Sequence, residues 1–215
     1  MSMTSADSWS VIVPMKDLTR AKSRMGEAFG DRRELALAMA RDTLEAIASA
    51  RRVAQVLVVC DAPGDVARFA RGPVGAIARP GLGLNEAIAA GAEHLRAGSA
   101  RDLAVLPGDL PGLRPADLDR ALLLALTYRS GVVPDRLGVG TTLLTARRDT
   151  DLVPRFGEGS FRRHLAAGAV ELMLPAESGL RSDFDRPSDA HEFAGMLGRR
   201  TRKVLRRERP SALAG

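Results

Sequence analysis

Six short segments of this chain are apolar at nearly every position: Ser10–Pro14, Val53–Cys60, Val74–Ala78, Leu103–Pro107, Thr141–Ala146 and Ala169–Leu174. A strand with one wet face alternates polar and apolar residues, because successive side chains point to opposite faces. Unbroken apolarity calls instead for strands covered on both sides. The stretches between the runs supply that cover. Asp31 followed by Glu34 has the form of a capping box opening a long helix through about Arg51. Leu84–Leu95, Pro115–Leu126 and Pro187–Leu197 are further helix candidates, with Pro115 and Pro187 placed as first-turn residues. Alternating strands and helices predict an α/β fold, a three-layer α/β/α sandwich around a mostly parallel, mixed sheet. At 215 residues, one domain is expected over residues 1–198.

Composition narrows the chemistry. The single cysteine, Cys60, excludes an internal disulfide and any zinc site built on several thiolates. Set at the end of VAQVLVVC, it is expected to be a small core residue. No apolar run reaches membrane-spanning length, and MSMTSADS has no basic-then-apolar leader pattern. A cytoplasmic protein without membrane contact is expected. The formal net charge of +6 suggests nucleic acid until its location is considered. The stretch RRTRKVLRRER, from Arg199 to Arg209, holds seven cations and one acid, Glu208, which is the whole excess. The rest of the chain is formally neutral, so no nucleic-acid partner is expected. Residues 199–215 form a basic tail, expected to be a solvated helix end or a disordered extension.

In sheets of this kind ligands bind beyond the carboxyl ends of the strands. The first apolar run leads into VPMKDLTRAKSRM, which delivers Lys16, Arg20, Lys22 and Arg24 with only Asp17 against them. Arg20, Lys22 and Arg24 alternate, so an extended segment points them the same way. The stretch is expected to be an anion site rather than a solvated loop. LAVLPGDLPGL presents Asp109 just past another strand, where a carboxylate suits Mg²⁺ and a turn-forming Asp is the alternative. In RSDFDRPSD, Asp183 and Asp185 are two apart and share a face on extended chain. Asp109, Asp183 and Asp185 would form a carboxylate set for one or two Mg²⁺ ions, and the four cations would neutralise a polyphosphate. Metal plus cations is the recurring equipment of phosphoryl and nucleotidyl transfer.

Three further stretches could face a ligand. In PDRLGVGTTLLTA, Gly138 and Gly140 allow close approach and Thr141 offers a hydroxyl. In FGEGSFRRHLAAG, Gly157 and Gly159 precede Ser160, either as a ligand-binding helix start or as simple capping. His164 is expected to be a helix-surface or structural residue. In GLGLNEAI, Asn85 and Glu86 either read a nucleotide base or cap a helix.

As an ordered set, VPMKDLTRAKSRM, LPGDLPGL, DRLGVGTTLL, FGEGSFRRHLAAGA and DFDRPSD resemble the guanylyltransferase family of coenzyme F-420 biosynthesis, over about Trp9 to Leu197. Related sugar and molybdenum-cofactor nucleotidyltransferases begin with a GxGxR-type loop, where this chain has Pro14-Met15-Lys16. The resemblance implies a nucleotidyltransferase fold of the glycosyltransferase-A type. It implies transfer of GMP from GTP to a phosphorylated three-carbon acid, with Mg²⁺ on Asp109, Asp183 and Asp185. Phosphoenolpyruvate is the expected acid, contacted at Thr141, Gly157 and Ser160, with 2-phospho-L-lactate and 3-phospho-D-glycerate as alternatives. GTP would lie against Lys16, Arg20, Lys22, Arg24, Asn85 and Glu86, with Lys22 and Asp109 carrying the catalysis. Arg186 departs from the family's small polar residue at that place.

Overall fold

The computed structural model of the chain describes residues 8–15, 32–98, 101–184 and 195–207. The apolar runs become strands β1 (Trp9–Met15), β2 (Val53–Cys60), β3 (Val74–Ala78), β4 (Asp102–Val105) and β6 (Thr141–Ala146). β5 (Ser130–Pro134) and β7 (Val170–Glu171) complete one seven-stranded sheet ordered β3-β2-β1-β4-β6-β5-β7. β1 pairs in parallel with β2 and β4, and β2 with β3. β6 is antiparallel to both β4 and β5, and β7 is parallel to β5. One strand, β6, therefore runs against the rest.

The strands separate their two faces with period two, as doubly covered strands must. Val11, Val13, Val56, Val58, Ala104 and Leu106 enter one core, with Leu118, Ala121 and Leu122 of α4 (Pro115–Ala125) and Ala40, Leu44 and Ile47 of α1 (Arg32–Ala48). Ile12, Leu57, Val59, Leu103 and Val105 enter the other, beneath Ile88, Ala92 and Leu95 of α3 (Leu84–Gly98). The short helices α2 (Val66–Phe69) and α5 (Ser160–Ala166) lie in the connections.

Three differences from the sequence reading have physical reasons. β5, read as SGVVP, carries a glycine and ends in proline, so it has little strand propensity of its own. Pairing on both sides makes it a strand, and its Val132 and Val133 are fully buried. The strand expected over Ala169–Leu174 shortens to two residues at the sheet edge. The basic tail is a correction in part: Arg199–Arg207 is a helix, α6, whose Thr201, Val204 and Leu205 are buried. Val204 and Leu205 pack with Leu197 and Phe184 on Leu35, Ala38 and Met39 of α1. Only the opposite face of α6, with Arg199, Arg202, Lys203 and Arg206, is exposed. The helix expected over Pro187–Leu197 falls largely outside the described residues.

Candidate active site

Neighbouring strands leave β1 in opposite directions across the sheet, β2 on one side and β4 on the other. Such a reversal opens a crevice at the carboxyl edge, where α/β proteins bind ligands. β1 and β4 end there directly. β6 runs the other way, so its first residue, Thr141, reaches the same edge.

Asp109 stands on the loop after β4 and is partly exposed. Every side of that loop is tied. The Leu110 amide donates to Thr43 Oγ1 of α1 at 3.1 Å, while Thr43 donates to the Met39 carbonyl at 2.9 Å. The Pro111 carbonyl accepts from the Gly198 amide at 2.7 Å, just before α6. Gly112 lies so close to Gly179 that a side chain at Gly179 would collide with the Gly112 carbonyl oxygen. The Asp109 carbonyl accepts from the Phe184 amide at 3.1 Å, which sets Asp183, also partly exposed, on the segment beside Asp109. Two carboxylates on adjoining, anchored segments are hard oxygen donors of the kind Mg²⁺ takes together with phosphate oxygens and water. Asp185, Lys16, Arg20, Lys22, Arg24 and Arg186 lie outside the described residues. Among the described residues no group of three or more His, Cys, Asp or Glu side chains could hold a metal.

A second set of side chains forms beyond β6. Thr141, Ser160 and His164 are buried, at 8%, 2% and 1% exposure. Ser160 Oγ lies 3.2 Å from Thr141 Oγ1, and His164 Nδ1 lies 2.9 Å from the same oxygen. The Arg155 amide donates to His164 Nε2 at 2.9 Å. The Phe156 ring meets the imidazole edge to face at 5.0 Å. Burial, and then the nearby Arg163 and Arg155 cations, push the His164 pKa down to about 4, so the imidazole is neutral at neutral pH. Gly157, at φ +119°, accepts from the Ser160 amide at 3.0 Å, in a conformation that favours glycine.

These contacts decide between the alternatives left by the sequence. Ser160 does not cap α5; Gly159 holds the cap position and the Ser160 hydroxyl turns inward to Thr141. The Ser160 and Phe161 amides are already used, on the Gly157 and Val139 carbonyls, so the start of α5 is no open anion cradle. Gly140 makes room for a side chain rather than a ligand: a Cβ there would lie 2.6 Å from Asp135 Oδ2. Asp135 accepts from the Val139 and Gly140 amides at 2.9 and 2.7 Å and so shapes the β5–β6 turn.

On the other side of β1, Pro14, Met15, Val59, Cys60, Asp61, Arg79, Leu82, Leu84 and Ala87 line a pocket at the carboxyl ends of β1 to β3. The Cys60 thiol is buried, and burial raises its pKa, so it stays protonated. Glu86 accepts from the Gly83 amide at 2.8 Å, the capping geometry. Asn85 pairs both ends of its amide with the Phe156 main chain, at 3.2 and 2.8 Å, and ties α3 to the FGEGS loop. Asp61 and Arg79 bring charge to this pocket and were missed in the sequence, where neither belongs to a motif. His164, expected to be a helix-surface or structural residue, is buried; its contacts with Thr141 and the Arg155 amide could not be read from an isolated histidine in RRHLAA, which carries no spacing signal.

The likenesses of the whole chain agree with this geometry. Residues 9–178 match a family model described as "Guanylyl transferase CofC like". A phosphoenolpyruvate guanylyltransferase of Streptomyces coelicolor is 42% identical over 204 residues, covering 93% of this chain and 96% of that protein. One from Thermomonospora curvata is 45% identical over 184 residues, covering 84% of this chain and 81% of that protein. Among solved structures, a Desulfovibrio desulfuricans protein named as a nucleotide-diphospho-sugar transferase superposes with a TM-score of 0.69 at 17% identity, covering 93% and 94% of the two chains. A Mycobacterium tuberculosis protein solved as a manganese complex gives a TM-score of 0.60 at 17% identity, covering 87% of this chain and 98% of that one. With a nucleotidyltransferase-type sheet, and with carboxylates after β4 and a buried hydroxyl pair at the start of β6 beside it, this chain belongs to the CofC-like family of guanylyl transferases.

Proposed function

We infer that this chain transfers GMP from GTP to phosphoenolpyruvate, releasing pyrophosphate and forming enolpyruvyl-diphospho-5'-guanosine. Membership of the family supports guanylyl transfer, and the names of its relatives support the acid. The observation that carries the reading is that the bonded Asp109 and Asp183 segments follow β4 and the Thr141–Ser160 hydroxyl contact lies at the start of β6, which reaches the same carboxyl edge. We place the reaction in the cytoplasm, where nucleoside triphosphates and phosphorylated acids are held.

In this mechanism a phosphate oxygen of the acid attacks the α-phosphorus of GTP. The new P–O bond forms as the bond from the α-phosphorus to the bridging oxygen breaks, and the electron pair leaves with pyrophosphate. The attacking oxygen is already an anion, so no general base is needed, and His164 need not exchange a proton. Asp109, Asp183 and Asp185 would hold Mg²⁺. Bound there, it would supply positive charge against the phosphates. Lys16, Arg20, Lys22 and Arg24 follow directly on β1 and would oppose the triphosphate and the departing pyrophosphate. The pocket between Met15 and Leu84 takes the base in this reading. Asp61 suits the N1 and N2 donors of guanine, and Arg79 suits its O6 and N7 acceptors. Thr141, Gly157 and Ser160 take the acid.

The experiment is pyrophosphate release with GTP and Mg²⁺, offering phosphoenolpyruvate, 2-phospho-L-lactate and 3-phospho-D-glycerate separately. Release with phosphoenolpyruvate alone is the expected result. Release only with another acid keeps the mechanism and replaces the substrate. Silence with all three, from protein that still binds GTP, sinks the reading. Lys22→Ala is expected to keep its circular dichroism spectrum and lose at least about tenfold in turnover, because the charge it opposes develops in the transition state. Unchanged turnover removes Lys22 from the site.

A further inference from the structure

We propose that His164 is a positioning residue that makes the Thr141–Ser160 hydroxyl pair a hydrogen-bond donor toward the acid substrate. The proposal rests on the reading of Thr141 and Ser160 as the acid's contacts.

The inference follows from counting protons. A main-chain N–H can only donate, and the Arg155 amide faces His164 Nε2 at 2.9 Å. Nε2 must therefore offer its lone pair. A neutral imidazole then carries its proton on Nδ1. Nδ1 is 2.9 Å from Thr141 Oγ1, so the threonine oxygen accepts. Ser160 Oγ, 3.2 Å from the same oxygen, shares one further hydrogen bond with it. The two hydroxyls own two protons, and one is used between them. Among the described residues neither hydroxyl has another partner, so one O–H is left over.

That spare proton exists only in this tautomer. Were Nδ1 the acceptor, Thr141 would give its proton to His164 and Ser160 would give its own to Thr141. The pair would then have only lone pairs to present, and would repel a carboxylate or phosphate oxygen. The Arg155 amide, which touches no substrate in this reading, thus sets the sign of the site. The Asn85 bonds to Phe156 and the Phe156 ring against His164 hold residues 155 and 156 where this arrangement requires them. The ligand class that fits is an anion with acceptor oxygens only, as a fully ionised phosphorylated acid is.

The first test needs no substitution. In ¹⁵N-histidine-labelled wild-type protein, the His164 nitrogens are expected to show a protonated, pyrrole-like Nδ1 and a bare, pyridine-like Nε2. The reverse pattern overturns the proposal. The second test is a panel of steady-state constants for Thr141→Val, His164→Gln and His164→Asn. Glutamine reaches the Nε2 position and can satisfy the Arg155 amide, but leaves no donor at Thr141. Asparagine can place an N–H near the Nδ1 position. Losing a donor to an anion is worth about tenfold or more in the acid's KM, and that rise is expected for Thr141→Val and His164→Gln with the GTP KM unchanged. His164→Asn is expected to stay within about threefold of wild type, since it restores the donor. A Thr141→Val variant with unchanged acid KM takes down the acid site and the role of His164 together. A response to Thr141→Val with none to His164→Gln removes His164 alone. Equal rises in acid and GTP KM in both His164 variants make its role merely structural.

Discussion

Asp109 is a charged side chain on a loop with almost no freedom. Its neighbours bond to α1, to the 183–184 segment and to the residue before α6, while the carboxylate itself is left partly exposed. Asp109→Asn keeps that shape and removes the charge. It is expected to lower Mg²⁺-dependent turnover by about two orders of magnitude or more, with the response to Mg²⁺ concentration shifted upward. An unaltered Mg²⁺ titration would contradict the role. His164 makes a prediction about stability. Its folded pKa of about 4 lies below the ordinary value of 6.5, so the unfolded chain binds the proton first as pH falls. The contribution is complete above pH 6.5 and is lost progressively down to pH 4, by up to about 3 kcal/mol. Urea titrations at pH 7 and pH 4.5 should show that loss in wild type and a smaller one in His164→Gln. The difference between these two residues also shows what was legible. Asp109 sits in a loop that follows a recognisable strand, so its place could be read directly. The burial of His164 depends on Phe156 and Arg155, which its own neighbours in sequence do not announce.

Among the elements, α6 is the one whose sequence misleads. Its composition suggests a solvated tail, yet every third or fourth position is apolar or small, and those positions close a third core over α1. What holds its start is a carboxylate from another helix. Asp42, buried at 8% exposure, accepts from the Arg200 and Thr201 amides at 3.2 and 2.8 Å and pairs with the Arg200 guanidinium. It serves as an N-cap from a distance, where negative charge is favoured. Asp42→Ala is expected to lower stability by about 2 kcal/mol. Because Phe184 lies in the same small core and its amide holds Asp109, the variant should also need more Mg²⁺ for half-maximal turnover. A stability loss with an unchanged Mg²⁺ midpoint would show that α6 does not support the carboxylates. The doubly buried strands were legible because their apolarity is continuous. β5 was not, because partners on both sides rather than composition make it a strand.

At the scale of the whole molecule, the charge excess is confined to one end of the chain, and the body that carries the site is formally neutral. Among the described residues no helix is long and apolar enough to cross a membrane. Removing residues 199–215 would bring the formal charge to zero and uncover Leu35, Met39 and Phe184, which α6 now covers. Losing the burial of Val204 and Leu205 is worth about 3–6 kcal/mol. The truncated chain should therefore melt earlier and aggregate, rather than simply lose a binding tail. Equal melting temperatures for the two chains would mean that α6 adds nothing to the fold. The single reversed strand has a different consequence. Parallel strands reach the working edge only through their ends, and each must be followed by a crossover that returns the chain. β6 reaches that edge through its beginning, straight out of a short turn shaped by Asp135. In the proposed reading the acid's contacts come from one continuous stretch, Pro134 to Leu165, while those of the nucleotide and metal are scattered from Met15 to Asp183. If that reading holds, the stretch would be an exchangeable cassette: grafting a relative's hairpin and following helix here is expected to change the acid preference and leave the GTP KM unchanged.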